Sequence, residues 1–263
     1  MPNQVARDTL FRDIERALAD DEFEPAFQPV ARLSDGALAG FEALARWRRA
    51  PETLAEPAVF IAEALARNLM GEISRRILLA ACAIMRDWRE GGVDGVFMSV
   101  NVVGQDLERE SFVAETLDIL HAADLPSGVI RLEVTEQQVL RDPPLIARQL
   151  ARLRKAGVKI LFDDFGSGFS SFTWLTKLPA DALKFDQSLI AGIAEDGPHL
   201  KIVRAMVALA HELGLETIAE GVETQAQRDI LADLGCDYAQ GHFYAKALGA
   251  SEARALIGTL RNS

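Results

Sequence analysis

Val158-Lys159-Ile160-Leu161-Phe162-Asp163-Asp164-Phe165-Gly166-Ser167-Gly168 decides the reading of this chain. An apolar run stops in two adjacent carboxylates and a glycine-rich turn. A short apolar run bounded by turn residues is the signature of a buried strand. Side chains alternate along a strand, so Asp163 and Asp164 are not expected to share one polar face. Neighbouring like charges repel, and taking them out of water costs more still. A divalent cation held by oxygen ligands relieves both problems. A strand-to-helix turn, with an aspartate cap and glycines at positive φ, accounts for the stretch equally well.

Outward from this strand the chain alternates. Toward the C-terminus, a short helix after Ser170 leads to a strand over 182–185. Helices over 187–194 and 198–213 lead to 215–219, a helix over 224–234 leads to 238–240, and a helix over 250–260 closes the chain. Toward the N-terminus lie a helix over 143–156, a strand over 129–134, a helix over 107–122, a strand over 95–102 and helices over 57–69 and 72–89. Gly157, Gly214 and Gly235 follow helices as caps. The rhythm changes before residue 50. Extended runs over 26–33 and 37–45 flank Ser34-Asp35-Gly36, a hairpin signal that makes these two strands antiparallel. Pro25 and Pro29 predict an irregular first strand. Residues 1–22 are expected to form an amphipathic helix packed on a domain of residues 23–263.

Eight strands, six of them separated by helices, fit an α/β fold: a modified TIM (β/α)8 barrel with one antiparallel strand, contributed by the N-terminal β-hairpin. An open doubly wound sheet is the competing architecture. The chain has 263 residues, 49% of them apolar, which suffices for one such domain. A formal net charge of -11 argues against a polymeric nucleic acid or an anionic membrane as partner. No apolar run approaches the roughly 20 residues that span a bilayer, and no signal peptide opens the chain. Cys82, in an apolar run, and Cys236, without a CxxC companion, fit a reducing cytoplasm.

In barrels of this kind the active site lies at the C-terminal ends of the strands. Read in order, those ends carry Glu42, Asn101, Glu133 with Glu136, Asp163 with Asp164, Lys184 with Asp186, Glu220 with Glu223, and Gln240. Each has an ordinary explanation by itself: Glu136 pairing with Arg141, Asn101 in a turn, Lys184 snorkelling from a rim. Together they place an acid or amide after six apolar runs in succession. Such a set fits two Mg2+ or Mn2+ ions held by oxygen. Two ions of that kind clamp the attacking and leaving oxygens of an in-line phosphoryl displacement. Zinc fits less well, because His242 is the only histidine at a strand end. The glycines at 166 and 168 lack a phosphate-loop signature.

Eight motifs in the right order then resemble the EAL-domain family of cyclic-di-GMP phosphodiesterases over nearly the whole length. They are Phe27-Gln28-Pro29-Val30, Glu42-Ala43-Leu44-Ala45-Arg46-Trp47, Ser99-Val100-Asn101, Leu132-Glu133-Val134-Thr135-Glu136, Asp163 to Ser171, Leu183-Lys184-Phe185-Asp186, Ala219 to Thr224, and Gln240-Gly241. The resemblance implies hydrolysis of cyclic-di-GMP to linear pGpG by an activated water. It implies that Glu42, Asn101, Glu133 and Asp163 bind a first Mg2+ or Mn2+, with Asp163 bridging to a second held by Asp164. Lys184 would hold the water, Glu220 would be general base or metal-positioning acid, and Glu223 would steady the glycine-rich loop. Gln28, Leu44 and Arg46 would contact substrate, with Asp186 and Gln240 beside them. Val103 and the proline-free Phe243 to Leu248 depart from the family pattern without removing a ligand. The resemblance, with the apolar Phe169, Phe172, Trp174 and Leu175, also implies a homodimer. Two other classes compete: a catalytically silent cyclic-di-GMP receptor, and a scaffold with an acidic rim that binds no dinucleotide.

Overall fold

Two extended segments meet at a tight turn. Strand β1 (Phe23–Arg32) and strand β2 (Leu38–Ala50) pair antiparallel from Phe23 opposite Trp47 to Val30 opposite Gly40. The turn is closed by Asp35, whose carboxylate accepts from the backbone N–H of Ala37 at 3.0 Å and from Arg32 at 2.9 Å, while Gly36 takes φ +72°. The structure, a computed structural model of the chain, describes residues 4–50, 53–55, 57–139, 141–166, 179–195 and 197–260.

Pro25 and Pro29 do not disrupt β1. Phe27 turns its N–H away from β2 and donates to the carbonyl of Leu248 at 2.8 Å. Pro25 and Pro29 share that parity, so neither withdraws a donor from the β1–β2 ladder. The irregularity falls instead between Val30 and Ala31.

The remaining strands are β3 (Thr53–Ala55), β4 (Phe97–Asn101), β5 (Ile130–Thr135), β6 (Lys159–Phe165), β7 (Ala182–Phe185), β8 (Glu216–Ala219) and β9 (Tyr238–Gln240). Hydrogen-bonded neighbours run β1-β9-β8-β7-β6-β5-β4-β2, and the β1–β2 pairing closes the circle. Pairings from β2 through β4 to β9 are parallel, whereas β1 is antiparallel to both its neighbours. This is the eight-stranded barrel with one reversed strand. The open sheet is thereby set aside. Strand β3 was not expected. It pairs with an extension of β2 past Ala45, where Trp47 faces Ala55. The helix expected over 107–122 is two, Gly104–Leu107 and Phe112–Ala123, and the one over 187–194 is Gln187–Ala191 followed by a 3-10 turn. The helix expected after Ser170, and the apolar residues 169–175, lie outside the described residues.

Helices cover the outer face. The longest, Met70–Glu90, buries Ile73, Ile77, Ala81, Met85 and Trp88 on one stripe, and Trp88 meets Phe27 and Phe41 at ring distances of 5.6 and 5.5 Å. The first helix, Gln4–Ala19, buries Ile14, Ala17 and Leu18 and is tied to helix Pro57–Ala66 by Arg7–Glu63 (2.9 Å) and Asp8–Arg67 (2.6 Å) ion pairs.

The lumen is layered. A small apolar cluster of Val30, Ala39, Phe97, Leu161, Ala182 and Ile218 fills its middle. Below it, at the N-terminal ends of the strands, the Arg131 guanidinium lies 3.6 Å from the centre of the Phe97 ring and donates to Glu216 at 3.0 Å. Tyr238 donates to the same carboxylate at 3.3 Å. Above it, at the C-terminal ends, the charged side chains converge.

Candidate active site

Lys184 stands at the centre of that upper layer, 1% exposed. Its ammonium lies 2.6 Å from Glu133, 2.6 Å from Glu220, 3.2 Å from Asp163 and 3.4 Å from Glu42. Three of the acids come from β5, β6 and β2 and the fourth, Glu220, directly follows β8, and the register of the strands brings them to one height. It pairs Glu42 with Ser99, Asn101 with Glu133, and Thr135 with Asp163. Lys184 therefore does not snorkel to the rim. Asn101 Nδ2 donates to Glu42 at 2.7 Å. Gln240 Nε2 donates to Glu42 at 2.7 Å and to Gln28 at 2.9 Å.

Asp163 and Asp164 do share one side of the strand, against the alternation rule. Register with β7 shifts between Phe162 and Phe165, and Asp164 adopts φ +55°, a left-handed conformation that aspartate tolerates better than most residues. Gly166 completes the bend at φ +98°, where a Cβ would sit 2.4 Å from Leu189. Alternation fails here because the strand carries a bulge. As a result one oxygen each of Asp163, Asp164 and Glu220 lie within 4.8 Å of one another.

Four carboxylates face one ammonium, and burial sharpens the imbalance. Burial pushes Glu42 up, but Lys184 and the Gln240 and Asn101 amides outweigh it and hold the carboxyl below its ordinary range. Glu133 lacks such donors, and burial with the Glu42 charge raises it far above the usual value. Burial pushes Glu220 up to about 8 despite Lys184. Asp164 is raised by burial and by Asp163 and Asp186. Burial lowers Lys184, yet Asp163, Glu133, Glu220 and Glu42 together drive it well above its ordinary range. Two buried carboxylate oxygens, Glu133 Oε1 and Asp163 Oδ1, accept no hydrogen bond; the latter has the Lys184 charge at 3.2 Å without bonding geometry. Orphaned acid oxygens of this kind are costly unless a cation meets them.

The cluster opens into a cleft of about 320 Å³. Gln28, Leu44, Asp164, Asp186, Glu223 and Gln240 line it, as do Glu42, Asp163 and Glu220. Asp186 also caps the helix that begins at Gln187, accepting from the Ser188 backbone at 3.0 Å. Arg46 is half-buried and donates to its neighbour's carbonyl, Ala45, at 2.9 Å. Glu223 gives its N–H to Gln227 at 2.9 Å, and most of the loop it was expected to steady is outside the described residues. Arg141 meets Glu108 at 3.5 Å, and the Glu136 side chain lies outside what the structure describes. The motifs give no role to two lining side chains: Gln187 is not singled out, and His242 stands out only as a histidine at a strand end. Gln187 directly follows Asp186, and His242 directly follows Gln240-Gly241, so the motifs ended one residue short of each.

Comparison with known proteins decides the family. The EAL domain profile matches residues 12–247. The chain belongs to the EAL domain family. Among its EAL relatives, the cyclic di-GMP phosphodiesterase NbdA of Pseudomonas aeruginosa is 36% identical over 236 residues, covering 90% of this chain and 30% of that protein. The bifunctional diguanylate cyclase/cyclic di-GMP phosphodiesterase MucR of the same organism is 34% identical, covering 94% of this chain and 36% of that protein. The chain thus spans about a third of the length of these curated EAL relatives. Among solved structures, the EAL enzyme Bd1971 in its cAMP- and cyclic-di-GMP-bound form superposes with a TM-score of 0.91 at 30% identity, covering 97% of this chain and 69% of that one. The MucR phosphodiesterase in complex with c-di-GMP gives 0.88 at 34% identity, covering 93% and 99%.

Proposed function

We propose that this EAL domain hydrolyses cyclic-di-GMP at one phosphodiester bond to give linear pGpG, by in-line attack of water. The observation that supports this most is the meeting of Glu42, Glu133, Asp163 and Glu220 around Lys184 at one mouth of the barrel. A structural core has no need of four acids on one ammonium, and two of the relatives are named for phosphodiesterase activity.

The donor set fits Mg2+ or Mn2+. It consists of hard oxygen ligands, it contains buried carboxylate oxygens without hydrogen bonds, and it has an excess of negative charge. Glu42, Asn101, Glu133, Asp163, Asp164 and Glu220 would hold two ions. Bound there, the ions lower the pKa of water and neutralise phosphate charge.

The chain's own groups do the rest. Lys184 draws the acids together and presents a donor that fixes the attacking water. Glu220, 2.6 Å from Lys184 and on the lining of the cleft, is placed to take the proton of the attacking water. Gln240 and Asn101 keep Glu42 ionised and oriented. Arg46 compensates a phosphate, Gln28, Leu44 and Asp186 seat the dinucleotide, and Glu223 steadies the loop beyond Gly166. The enzyme works as a homodimer in a reducing cytoplasm, a setting consistent with two buried, unpaired cysteines. Among the described residues no helix is long and apolar enough to cross a membrane.

The test is chromatography of cyclic-di-GMP after incubation with the protein and Mg2+ or Mn2+, with and without chelator. The expected result is pGpG that chelator abolishes. Dinucleotide that binds but stays intact at high protein concentration would assign the silent receptor instead, and no binding would leave only the acidic scaffold.

A further inference from the structure

We infer that Gln187 and His242 form the base-reading flank of the cleft and take the edge of a purine of the cyclic dinucleotide; this rests on the function proposed above. Both side chains are exposed, both line the cleft, and neither has a hydrogen-bond partner among the described residues. The other amides of the cleft differ. Gln240 is 4% exposed and its Nε2 is engaged by Glu42 and Gln28, and Gln28 accepts from it. Those two belong to the acid cluster and hold it in shape. Gln187 and His242 hold nothing.

Their positions are fixed all the same. Gln187 opens a helix capped by Asp186, and its Cβ packs where Gly221 has no side chain: a Cβ on Gly221 would lie 2.4 Å from it. His242 follows Gly241, which lies so close to the Val222 backbone that a Cβ would come within 2.2 Å. The flanking residues are pinned to the same turn, since Val222 N–H donates to Gln240 at 3.0 Å and Phe243 N–H donates to Val222 at 2.9 Å. Gln187 and the turn that carries His242 thus pack against the segment just after Glu220, which fixes their place beside the acid cluster.

Charge decides which part of the substrate comes here. Asp186 and Glu223 also line the cleft and would repel a phosphate that no cation compensates. A neutral base meets no such penalty. Among the described residues no arginine or lysine is on the lining of the cleft, so none there offers the bidentate guanidinium contact to guanine. A glutamine amide presents an acceptor and a donor side by side, complementary to the N1–H and O6 of guanine. An imidazole adds a ring donor for N7 or O6 and a flat face for stacking. With adenine, the donor and acceptor of that Watson–Crick edge are exchanged, which leaves the amide mismatched unless it turns over.

The experiment is steady-state hydrolysis of cyclic-di-GMP and cyclic-di-AMP by wild type, Gln187→Ala, Gln187→Asn and His242→Ala, all with Mn2+. Expected is a rise in KM for cyclic-di-GMP of about tenfold in Gln187→Ala, about 1.4 kcal/mol, and a few-fold in His242→Ala, somewhat under about 1 kcal/mol. The loss sits in KM rather than kcat, and the preference for guanine over adenine shrinks by a similar factor. Gln187→Asn, which keeps the amide on a shorter stem, falls between. Unchanged KM and unchanged preference in all three variants, with normal wild-type turnover, overturns this inference and leaves the phosphodiesterase reading standing. A wild-type chain that neither binds nor cleaves cyclic-di-GMP overturns both.

Discussion

The two ends of one lumen treat buried charge in opposite ways. At the N-terminal end Glu216 and Asp181 each face a cation at close range, although Arg131 Nε, like two acid oxygens at the other end, has no hydrogen-bond partner. Arg131, 12% exposed at its side chain, lies on Phe97 and meets Glu216, and Tyr238 donates to the same carboxylate. Asp181 accepts from the Ile160 backbone at 2.9 Å, from both branches of Arg154 and from Lys159. At the C-terminal end, 1%-exposed Lys184 faces four acids, two of whose oxygens accept no hydrogen bond. The apolar layer between them keeps the two systems from compensating each other. The difference teaches where stability and chemistry reside. Removing a group from the balanced end leaves a buried partner alone and costs stability, while removing an acid from the crowded end relieves repulsion and costs activity.

Four measurements would break or sharpen that contrast. The largest effect is expected for Asp163→Asn, which should lower kcat on the order of 1000-fold. Its unfolding midpoint in chelator should be no lower than wild type's, and a large drop there would erase the contrast. Next, Mn2+ at about 100 times its dissociation constant should stabilise the wild type by about 2.7 kcal/mol in urea unfolding. Asp163→Asn should lose most of that gain, and Arg131→Met should keep it. Third, Arg131→Met should cost about 2 kcal/mol, less than a fully buried pair would, because the Glu216 side chain is 41% exposed. Its kcat and KM per folded molecule should match wild type. The smallest effect concerns pH. Burial would raise the Asp181 carboxyl, but the Ile160 N–H, Arg154 and Lys159 outweigh it and hold it below 3.8. A depressed folded-state value means stability that is present above the unfolded value and lost as pH falls through the folded one. Asp181→Asn should therefore be about 1 kcal/mol less stable than wild type at pH 7. That gap should close as pH falls below about 3.8; a gap that persists at pH 2.5 would remove the charge from the explanation.

Much of the mouth was legible because its side chains interrupt or end apolar runs, so Glu42, Glu133, Asp163 and Lys184 announce their positions by contrast with their neighbours. The reversed first strand was legible from Asp35-Gly36 between two extended runs. What escaped depends on contacts distant in sequence or on backbone bends. The bulge at Asp164 leaves no compositional mark beyond the following glycine, and alternation taken at face value separates the two aspartates. Strand β3 is three residues long, too short for any period to register. Arg131 and Glu216 are 85 positions apart, and each taken singly is an ordinary polar residue at a strand start. Gln187 stands one place beyond a motif, and His242, visible as a strand-end histidine, carries no mark in the sequence of the cleft it lines.

The reversal of β1 has a mechanical consequence. In an all-parallel barrel the polypeptide comes in at the floor and must climb one full strand before it reaches the catalytic opening. Here it comes in at the roof. Phe23 lies opposite Trp47, and Glu22 takes hydrogen bonds from the Trp47 indole at 2.9 Å and the Arg48 backbone at 2.8 Å, one and two positions past Arg46. A pull or twist applied to the first helix is thus delivered beside the substrate doorway, with no strand in between to absorb it.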